Sequence, residues 1–366
     1  MLAPADVAAR IPRLRARVDG AGCDALLVTR LVNVRYLTGF TGSAALLLVL
    51  PDRAVLTTDG RYRDQSREEL DAAGVHADIE VGATAAAQRE ILRAAAAGIR
   101  RLGLEAEAVT WAQQRRFAAE WFPRAELVAT EGLIEEQRRV KDDGEVARMA
   151  EAARIADDAL ASVRPLLADG LTEREIALAL DYEMRRLGAE GSSFETIVAS
   201  GPNGAKPHAR PSGRPIAAGE LVVLDFGAVV EGYCSDMTRT LCVGEPASEV
   251  ARRMVEVVAG SQQAGVEAVA AGVSGRDVDR VCRDVIAAAG WGDAFLHGTG
   301  HGVGLEIHEA PRVASTSEDT LAAGHVVTVE PGVYLPDVGG VRIEDTVVVT
   351  EDGCLPLTNA PKDLVV

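Results

Sequence analysis

The pattern of apolar and polar residues divides the chain into two parts. Over the first ~130 residues, short apolar runs alternate with amphipathic stretches, as strands and helices do in an α/β domain. The predicted strands span residues 24–28, 44–50, 54–58, 77–81, 101–105 and 126–129. The predicted helices span residues 59–73, 84–97 and 111–121. Pro51-Asp52 separates two apolar runs and predicts a hairpin turn.

A charged stretch at residues 131–143 predicts a connector, and we place the two domains at residues 1–135 and 136–366. Beyond it, predicted helices span residues 142–167, 247–271 and 274–289, and another begins at Thr172. Thr172-Glu173-Arg174-Glu175 forms a capping box there. Strands are predicted at residues 195–200, 220–229, 233–243, 325–335 and 340–350. This mixture predicts an α+β domain.

Composition and charge narrow the classes of function. The formal net charge is -17, with 55 Asp and Glu against 38 Lys and Arg. The chain shows no basic stripe for nucleic acid, and its longest aliphatic run, residues 44–50, is too short to span a membrane. Residues 8–20 lack the apolar core of a secretory signal. Five cysteines without a CxxC pair favour a reducing, cytoplasmic setting.

Two aspartates in the second domain stand inside apolar surroundings. Asp225 follows an unbroken apolar run, and Asp236 lies in the next predicted strand. A carboxylate buried in such a run needs a metal, a proton or an ionic partner. If Glu231-Gly232 forms a two-residue turn, Asp225 lies opposite Thr238 and diagonal to Asp236, about 7–8 Å away between backbones. Carboxylates at that separation can hold metal ions about 3.5–4 Å apart.

Two glutamates follow the same logic. Glu330 and Glu344 lie in apolar runs, and a loop centred near Asp337 would place them opposite each other. Arg342 shares a face with Glu344 because side chains alternate along a strand. With His301 from a glycine-rich segment, the set is rich in oxygen ligands, which suits manganese, cobalt or zinc better than a soft metal.

With these residues the chain resembles the pita-bread metallopeptidases, which include methionine aminopeptidase, aminopeptidase P and prolidase. The resemblance covers residues 142–366 closely and residues 1–130 more loosely. It rests on motifs that follow the family's order: Leu224-Asp225-Phe226-Gly227, Ser235-Asp236-Met237-Thr238-Arg239-Thr240, His297-Gly298-Thr299-Gly300-His301-Gly302-Val303-Gly304, His308-Glu309, Glu330-Pro331-Gly332 and Arg342-Ile343-Glu344-Asp345. Tyr334, Arg342 and Asp59-Gly60-Arg61-Tyr62 are similar to the proline-specific branch.

The resemblance implies an α+β fold, with a C-terminal pita-bread catalytic domain after an N-terminal α/β creatinase-like domain. Five residues match the family's metal-ligand positions: Asp225, Asp236, His301, Glu330 and Glu344. The residues expected to act on substrate and protons are His208, His297, His308, Glu330, Tyr334 and Arg342. The implied cofactor is two divalent metal ions, Mn²⁺ first and Co²⁺ or Zn²⁺ as alternatives. A homodimer is also implied.

The implied reaction is metal-assisted hydrolysis of a peptide bond that precedes proline. Glu330 is expected to accept the proton of water, and His308 to donate to the developing oxyanion. The expected activity is that of an aminopeptidase on peptides with proline at the second position. The alternative is a dipeptidase (prolidase), which needs a cation for the free carboxylate beyond proline. Lys206, Arg210 and Arg312 are the candidate cations.

Structural interpretations stand beside these functional ones. Asp225 could end a strand, Asp236 could pair with Arg239, and His208 could be a solvated loop residue. Arg342 could form a salt bridge with a ligand carboxylate. For the whole protein, one alternative is a metal-free hydrolase of the creatinase type, which should lack several of the five ligands. Another is a non-catalytic binding protein on the same fold, which does not need the complete set.

Overall fold

The computed structural model describes residues 2–366, which divide into two units. We call residues 5–138 the N-terminal unit, and residues 139–366 together with residues 2–4 the C-terminal unit. Both units combine helices with sheets, so the predicted α+β class is confirmed. Within residues 2–366, no helix combines the length and the apolar composition needed to cross a membrane.

The N-terminal unit is built around one mixed sheet. Its helices and strands are α1 (Arg10–Gly20), β1 (Ala25–Val28), α2 (Leu31–Thr38), β2 (Ala45–Val49), β3 (Ala54–Thr58), α3 (Arg63–Ala72), β4 (Asp78–Val81), α4 (Ala85–Ala95), β5 (Arg101–Glu105), α5 (Trp111–Arg116), β6 (Glu126–Thr130) and α6 (Glu135–Arg138). The sheet has the order β4-β3-β2-β1-β5-β6. The hairpin predicted at Pro51-Asp52 joins β2 to β3, which pair antiparallel. This unit therefore follows the predicted alternation.

Three helices of this unit, α1, α2 and the short α6, lie outside the predicted elements. In α1, Ile11, Leu14 and Val18 are buried and lie on one helix face because they are three and four residues apart. That spacing is a signal from which α1 could have been predicted. The Asp59-Gly60-Arg61-Tyr62 stretch forms a 3-10 turn before α3, and the Asp59 side chain accepts a hydrogen bond from the Arg61 amide.

The C-terminal unit contains several small sheets surrounded by long helices. Its helices and strands are α7 (Asp143–Val163), α8 (Glu173–Arg186), β7 (Gly191–Ser192), β8 (Ile197–Ser200), β9 (Leu221–Phe226), β10 (Ala228–Val230), β11 (Tyr233–Cys234), β12 (Met237–Cys242), α9 (Glu249–Ala268), α10 (Gly275–Ala288), β13 (Gly300–Gly302), β14 (Glu309–Val313), β15 (Val326–Val329), β16 (Gly332–Leu335), β17 (Gly339–Arg342), β18 (Asp345–Val349) and β19 (Cys354–Pro356). The sheets have the orders β11-β10-β7, β12-β9-β8, β14-β13-β15-β18-β19 and β16-β17.

The helices of this unit cover two apolar cores. One core joins α7 and α8 to the apolar residues of β9 and β12. The other joins α9 and α10 to β15, β17 and β18. The capping box predicted at Thr172 and Glu175 is confirmed at the start of α8. Because helices cover the strands of both cores, ionisable side chains on these strands are poorly hydrated.

Four predicted strands are interrupted in the structure. The run 220–229 divides into β9 and β10, and 233–243 into β11 and β12. Likewise 325–335 divides into β15 and β16, and 340–350 into β17 and β18. Continuous strands are therefore wrong at these places. Three of the four interruptions contain a predicted metal ligand: Asp236, Glu330 or Glu344.

The first interrupted hairpin keeps its register across the break. Glu231 and Gly232 both have positive φ, 45° and 79°, and form the predicted two-residue turn between β10 and β11. Counting back along the pairing, Asp225 of β9 lies opposite Thr238 of β12, as predicted. Asp236 is then the diagonal neighbour of Asp225.

The second interrupted hairpin does the same. Leu335 pairs with Gly339 near its tip, and Val329 pairs with Asp345 beyond the break. Both pairings fit one register, that of a hairpin whose loop is centred on residue 337. The residues between the two pairings therefore follow the same register. Glu330 therefore stands opposite Glu344, as predicted.

Candidate metal centre

The two hairpins bring three carboxylates together. Oxygen atoms of Asp225, Asp236 and Glu344 all lie within 4.8 Å of one another. Asp236 is 5% exposed and Glu344 is 1% exposed, so water does little to screen them. Three negative charges this close in a buried site repel strongly. The arrangement is stable only if protons or cations neutralise part of the charge.

Burial and mutual repulsion shift the acidity of these groups. Burial is the largest cause and raises the pKa of Asp236 well above its usual range, and the charges of Glu344 and Asp225 raise it further. Burial likewise raises the pKa of Glu344 well above its usual range, with Glu330 and Asp225 adding to the effect. The cluster therefore holds protons more tightly than ordinary carboxylates do.

Two oxygen atoms in this cluster point to a cation. Among residues 2–366, no group donates a hydrogen bond to Oδ1 of Asp225 or to Oε1 of Glu344, although both atoms are buried. The other oxygens are satisfied: Arg342 Nη2 donates to Asp225 Oδ2, and Thr238 Oγ1 donates to Glu344 Oε2 over 2.7 Å. A buried acceptor without a partner is destabilising. A metal ion between these oxygens would satisfy both.

His301 and Glu330 adjoin the cluster. His301 Nε2 lies 3.3 Å from Glu330 Oε1 and 3.6 Å from Asp236 Oδ2. The other ring nitrogen, Nδ1, lies 3.0 Å from the carbonyl oxygen of Gly302 and can donate to it. In that neutral tautomer Nε2 carries a lone pair and faces two carboxylates, which is favourable only with a proton or a cation between them.

The electrostatics of this pair agree with that geometry. Burial is the largest influence on Glu330 and would raise its pKa, but the hydrogen bond and charge of His301 lower the pKa to about 2. For His301, burial would lower the pKa, but the contact with Glu330 raises it overall. All five predicted ligands thus lie in one region with the chemistry of a site for divalent cations, and the residues present fit such a group.

A second chain of contacts runs beside the carboxylates. Arg342 Nη1 donates to the Tyr334 hydroxyl over 2.7 Å, and that hydroxyl lies 2.9 Å from His297 Nε2. His297 Nδ1 lies 2.8 Å from the Gly298 carbonyl oxygen and donates to it, so Nε2 accepts from Tyr334. Burial lowers the pKa of His297 and raises that of Tyr334, which keeps both neutral at pH 7.

The salt bridge considered for Arg342 is present, because its guanidinium pairs with Asp225, one of the predicted ligands. The corresponding interpretation of Asp236 is wrong. Arg239 instead pairs with Asp345, with 2.9 Å between Nη2 and Oδ1. Asp236 therefore remains part of the carboxylate cluster.

His208 and His308 lie on the exposed side of the site. The rings of His308 and His301 meet edge to face with centroids 4.4 Å apart. Burial, and then the charge of His301, lowers the pKa of His308. The charge of His208 also lowers the pKa of both His297 and His308. The predicted histidines therefore lie close enough together for their charges to act on one another.

Two threonines that were not among the predicted site residues orient the predicted ligands. Thr238 Oγ1 donates to Glu344 and accepts from Arg342 Nε over 3.0 Å. Thr328 Oγ1 donates to Glu330 Oε1 over 3.0 Å and accepts from the His301 amide over 3.1 Å. Their signal was positional, since Thr328 shares a strand face with Glu330, and Thr238 is the hairpin partner of Asp225.

Comparison with known proteins agrees with this site. Residues 147–351 match the model of metallopeptidase family M24, and residues 10–140 match the creatinase/prolidase N-terminal domain. The uncharacterized peptidase YqhT of Bacillus subtilis is 41% identical over 359 residues, which cover 98% of this chain and 99% of that protein.

Solved structures are also similar. The Xaa-Pro dipeptidase from Bacillus anthracis is 40% identical with a TM-score of 0.94, covering 98% of this chain and 100% of that one. The X-Pro aminopeptidase from Thermotoga maritima MSB8 is 34% identical with a TM-score of 0.88, covering 96% and 100%. These similarities extend over both units.

Proposed function

The chain belongs to metallopeptidase family M24, and from this premise we propose that it is an exopeptidase that hydrolyses the N-terminal Xaa-Pro bond of peptides. The observation that carries the proposal is the cluster of Asp225, Asp236 and Glu344, with its buried oxygens that lack hydrogen-bond donors among residues 2–366. The Xaa-Pro specificity is supported by the names of the relatives from Bacillus anthracis and Thermotoga maritima.

The proposed centre holds two divalent cations, with Mn²⁺ as the metal. The proposed ligands are the five residues Asp225, Asp236, His301, Glu330 and Glu344. Four carboxylates and one imidazole form an oxygen-rich set, which favours Mn²⁺ over a soft metal. When bound, the cations supply Lewis-acid activation of water and of the scissile carbonyl.

The side chains around the centre would handle the protons. The pKa of Glu330 is about 2 beside the charged His301 of the metal-free protein, and bound cations would likewise keep this carboxylate ionised at neutral pH. Glu330 is the proposed acceptor for the proton of water. It would then pass that proton to the leaving nitrogen. His308, neutral and exposed beside His301, is the proposed donor to the oxyanion that develops on the substrate.

The remaining predicted residues would form the proline pocket. A leaving proline has no N–H and a fixed φ, so it must be recognised by shape and by contacts with its ring. His208 is exposed, while His297 is held through Tyr334 by Arg342. We propose that these histidines bind the substrate and that Tyr334 and Arg342 fix their geometry.

The finer proposal is a preference for peptides longer than two residues. Lys206 Nζ donates to Asn203 Oδ1, and Arg210 forms an ion pair with Glu195. These partners compete with the carboxylate of a dipeptide for both cations, but only weakly, because contacts at exposed side chains contribute little. Arg312, whose charge acts on His308, favours the alternative that the chain is a dipeptidase, as does the name of the relative from Bacillus anthracis.

Rates on matched Xaa-Pro and Xaa-Pro-Xaa peptides with added Mn²⁺ test both levels. We expect a higher kcat/KM on the longer peptide. A tenfold preference for the dipeptide, about 1.4 kcal/mol, would establish the dipeptidase alternative instead. Arg312→Gln should then raise the dipeptide KM selectively, while the control Arg210→Gln should not. Activity that is indifferent to chelators would overturn the metal-dependent proposal, and no hydrolysis of either peptide would overturn the Xaa-Pro specificity.

The proposal also includes the cellular setting and the assembly. Each of the five cysteines is a free thiol, which supports a reducing, cytoplasmic compartment. The homodimer implied by the family resemblance is part of the same proposal. Light scattering on the purified chain tests it, and a monomeric mass would contradict it.

A further inference from the structure

The segment that carries His208 is a long connection between β8 and β9. We call residues 201–211 the His208 loop. Most of the loop lacks regular structure apart from a 3-10 turn at Gly201–Asn203, and His208 itself is exposed. Loops of this kind are usually mobile. A histidine that must meet a substrate in a fixed geometry needs its loop to be held from elsewhere.

Glu173, in the first turn of α8, lies beneath both ends of this loop. It is fully buried, with 0% of its surface exposed. Its Oε1 accepts from the amide and the hydroxyl of Ser200, over 2.7 and 2.9 Å. Its Oε2 accepts from the amide and the hydroxyl of Ser212, over 3.0 and 2.7 Å. One carboxylate thus joins the residue before the loop to the residue after it.

A further donor and the helix itself strengthen the anchor. Asn203 Nδ2, inside the loop, lies 3.0 Å from Glu173 Oε2 and donates to it. The amides of Glu173 and Arg174 donate to the carbonyl oxygens of Arg214 and Ser212 over 3.0 and 3.1 Å. The unpaired amides of a first helical turn are therefore satisfied by the chain that leaves the loop. The hydrogen bonds to the carboxylate of Glu173 are charge-assisted, which makes them stronger than hydrogen bonds between neutral groups.

The opposite side of the loop rests on the hairpin that carries Tyr334 and Arg342. A Cβ atom on Gly340 would lie 1.9 Å from the carbonyl oxygen of Gly204, so the two backbones are in direct contact. Arg342 Nη1 also donates to the carbonyl oxygen of Pro207, the residue before His208. The loop is therefore held between the first turn of α8 and the wall of the candidate active site.

We propose that Glu173 is a positioning residue, which closes the His208 loop at both ends and so fixes His208 against the bound peptide. The inference rests on the proposed function insofar as it gives His208 a substrate to meet. The requirement is for a carboxylate, because each oxygen accepts a backbone amide. In a glutamine at this position, whichever end carried the NH₂ group would face a backbone N–H.

Hydrogen exchange measured by mass spectrometry tests the anchor without any assay of activity. In Glu173→Gln, amides of residues 201–211 should exchange about tenfold faster or more, while those of β9 and β12 keep their protection. The matched control is Glu175→Gln, which changes a second glutamate of the same turn that only caps Thr172. Unchanged exchange in the loop would overturn the proposal, whether or not the protein cleaves Xaa-Pro peptides.

A double-mutant cycle with His208→Ala tests the positioning role. Glu173→Gln alone should lower kcat/KM on an Xaa-Pro peptide by about tenfold to a hundredfold, the cost of misplacing a substrate contact by about 1 Å. Metal content should be unchanged. In the His208→Ala background the same substitution should have little further effect, since both changes remove the same interaction, that of His208 with the peptide. Full additivity of the two losses would overturn the role through His208.

Two possible failures, of the proposed function and of the Glu173→Gln variant to fold, are distinguished by separate measurements. If the wild-type protein cleaves no Xaa-Pro peptide, the proposed function fails, and the exchange experiment alone decides the role of Glu173. If Glu173→Gln does not fold, Ser212→Ala and Asn203→Ala each remove only part of the anchor. Both should then loosen the loop to a smaller degree, and rigid loops in both variants would contradict the proposal.

Discussion

Two regions of the C-terminal unit bury carboxylates and treat them in opposite ways. In the first turn of α8, Glu173 is surrounded by amides and hydroxyls that donate to both of its oxygens. In the interrupted hairpins, Asp225 and Glu344 each keep one buried oxygen without a donor among the described residues 2–366. The two regions have similar burial and the same functional group, but a different set of partners.

The pKa values of these groups move in opposite directions because their partners differ. Burial raises the pKa of Glu173, but hydrogen bonds from Ser212 and Ser200 outweigh it and leave the pKa below its usual value. Burial raises the pKa of Glu344, and there neighbouring carboxylates increase the shift. Saturation by donors marks a carboxylate that stabilises the fold, whereas unsatisfied oxygens beside like charges mark one that awaits a cation.

The strongest test of this contrast removes a carboxylate from the hairpins. Asp236→Ala and Glu344→Ala should each lose bound metal and more than about 10³-fold in activity, beyond the 10–100-fold usual for residues that only orient a ligand. Metal content by mass spectrometry and peptide hydrolysis measure the two effects. Glu175→Gln, on the exposed side of α8, is the control and should keep both. Normal turnover in either alanine variant would remove that residue from the site.

The next test separates proton chemistry from metal binding. His308→Ala should retain its metal and lose about 10²-fold in kcat, the usual effect of removing an oxyanion donor. Steady-state kinetics on metal-loaded protein measure the loss. If the variant loses metal while turnover per bound metal stays normal, His308 is a ligand and its proposed role is wrong.

Stability should change with opposite signs in the two regions. In metal-free protein, Asp236→Asn relieves repulsion and should raise the free energy of unfolding by about 0.5–2 kcal/mol. Glu173→Gln leaves a buried amide N–H without an acceptor and should lower it by about 1–3 kcal/mol. Denaturant melts of the chelated proteins provide the comparison. Changes of the same sign would contradict the distinction between the two regions.

The smallest expected effect is a dependence on pH. Because the folded pKa of Glu173 is lowered, its stabilisation is fully present above the unfolded value of about 4.3 and is lost as pH falls through the folded pKa. The difference in unfolding free energy between wild-type and Glu173→Gln proteins should therefore narrow below about pH 4.3. Melts at pH 7, 4.5 and 3.5 measure it, and a constant difference would show that ionisation of Glu173 contributes nothing.

The sequence predicted the register of the site better than its local structure. The turn at Glu231-Gly232 and the loop near Asp337 were enough to place Thr238 opposite Asp225 and Glu330 opposite Glu344, because antiparallel pairing follows from where a hairpin turns. The interruptions were missed. Pro331 and Gly227 lie in two of them and were available signals, because proline cannot donate to a ladder and glycine weakens a strand. The breaks at residues 235–236 and 343–344 carry no such signal, and there the packing of neighbouring segments decides where the ladder of hydrogen bonds opens.

Glu173 shows why other parts of the site could not be predicted from the sequence. The capping box of Thr172 and Glu175 predicted where α8 begins, and an acid between them is ordinary in a first helical turn. Its partners Ser200 and Ser212 are far away along the chain and are common loop residues. Their convergence depends on how α8 packs against the sheet, which no local pattern encodes.

The register of the second interrupted hairpin, which carries Glu330 and Glu344, determines where insertions and deletions can be tolerated. One residue inserted into β16 or β17 would shift the pairing of the two strands by one residue, so Glu330 and Glu344 would no longer stand opposite each other. Insertion at the tip of this hairpin, residues 336–338, adds only to the loop. Length variation among functional homologues should therefore concentrate at the tip and avoid the two strands that connect it to the site.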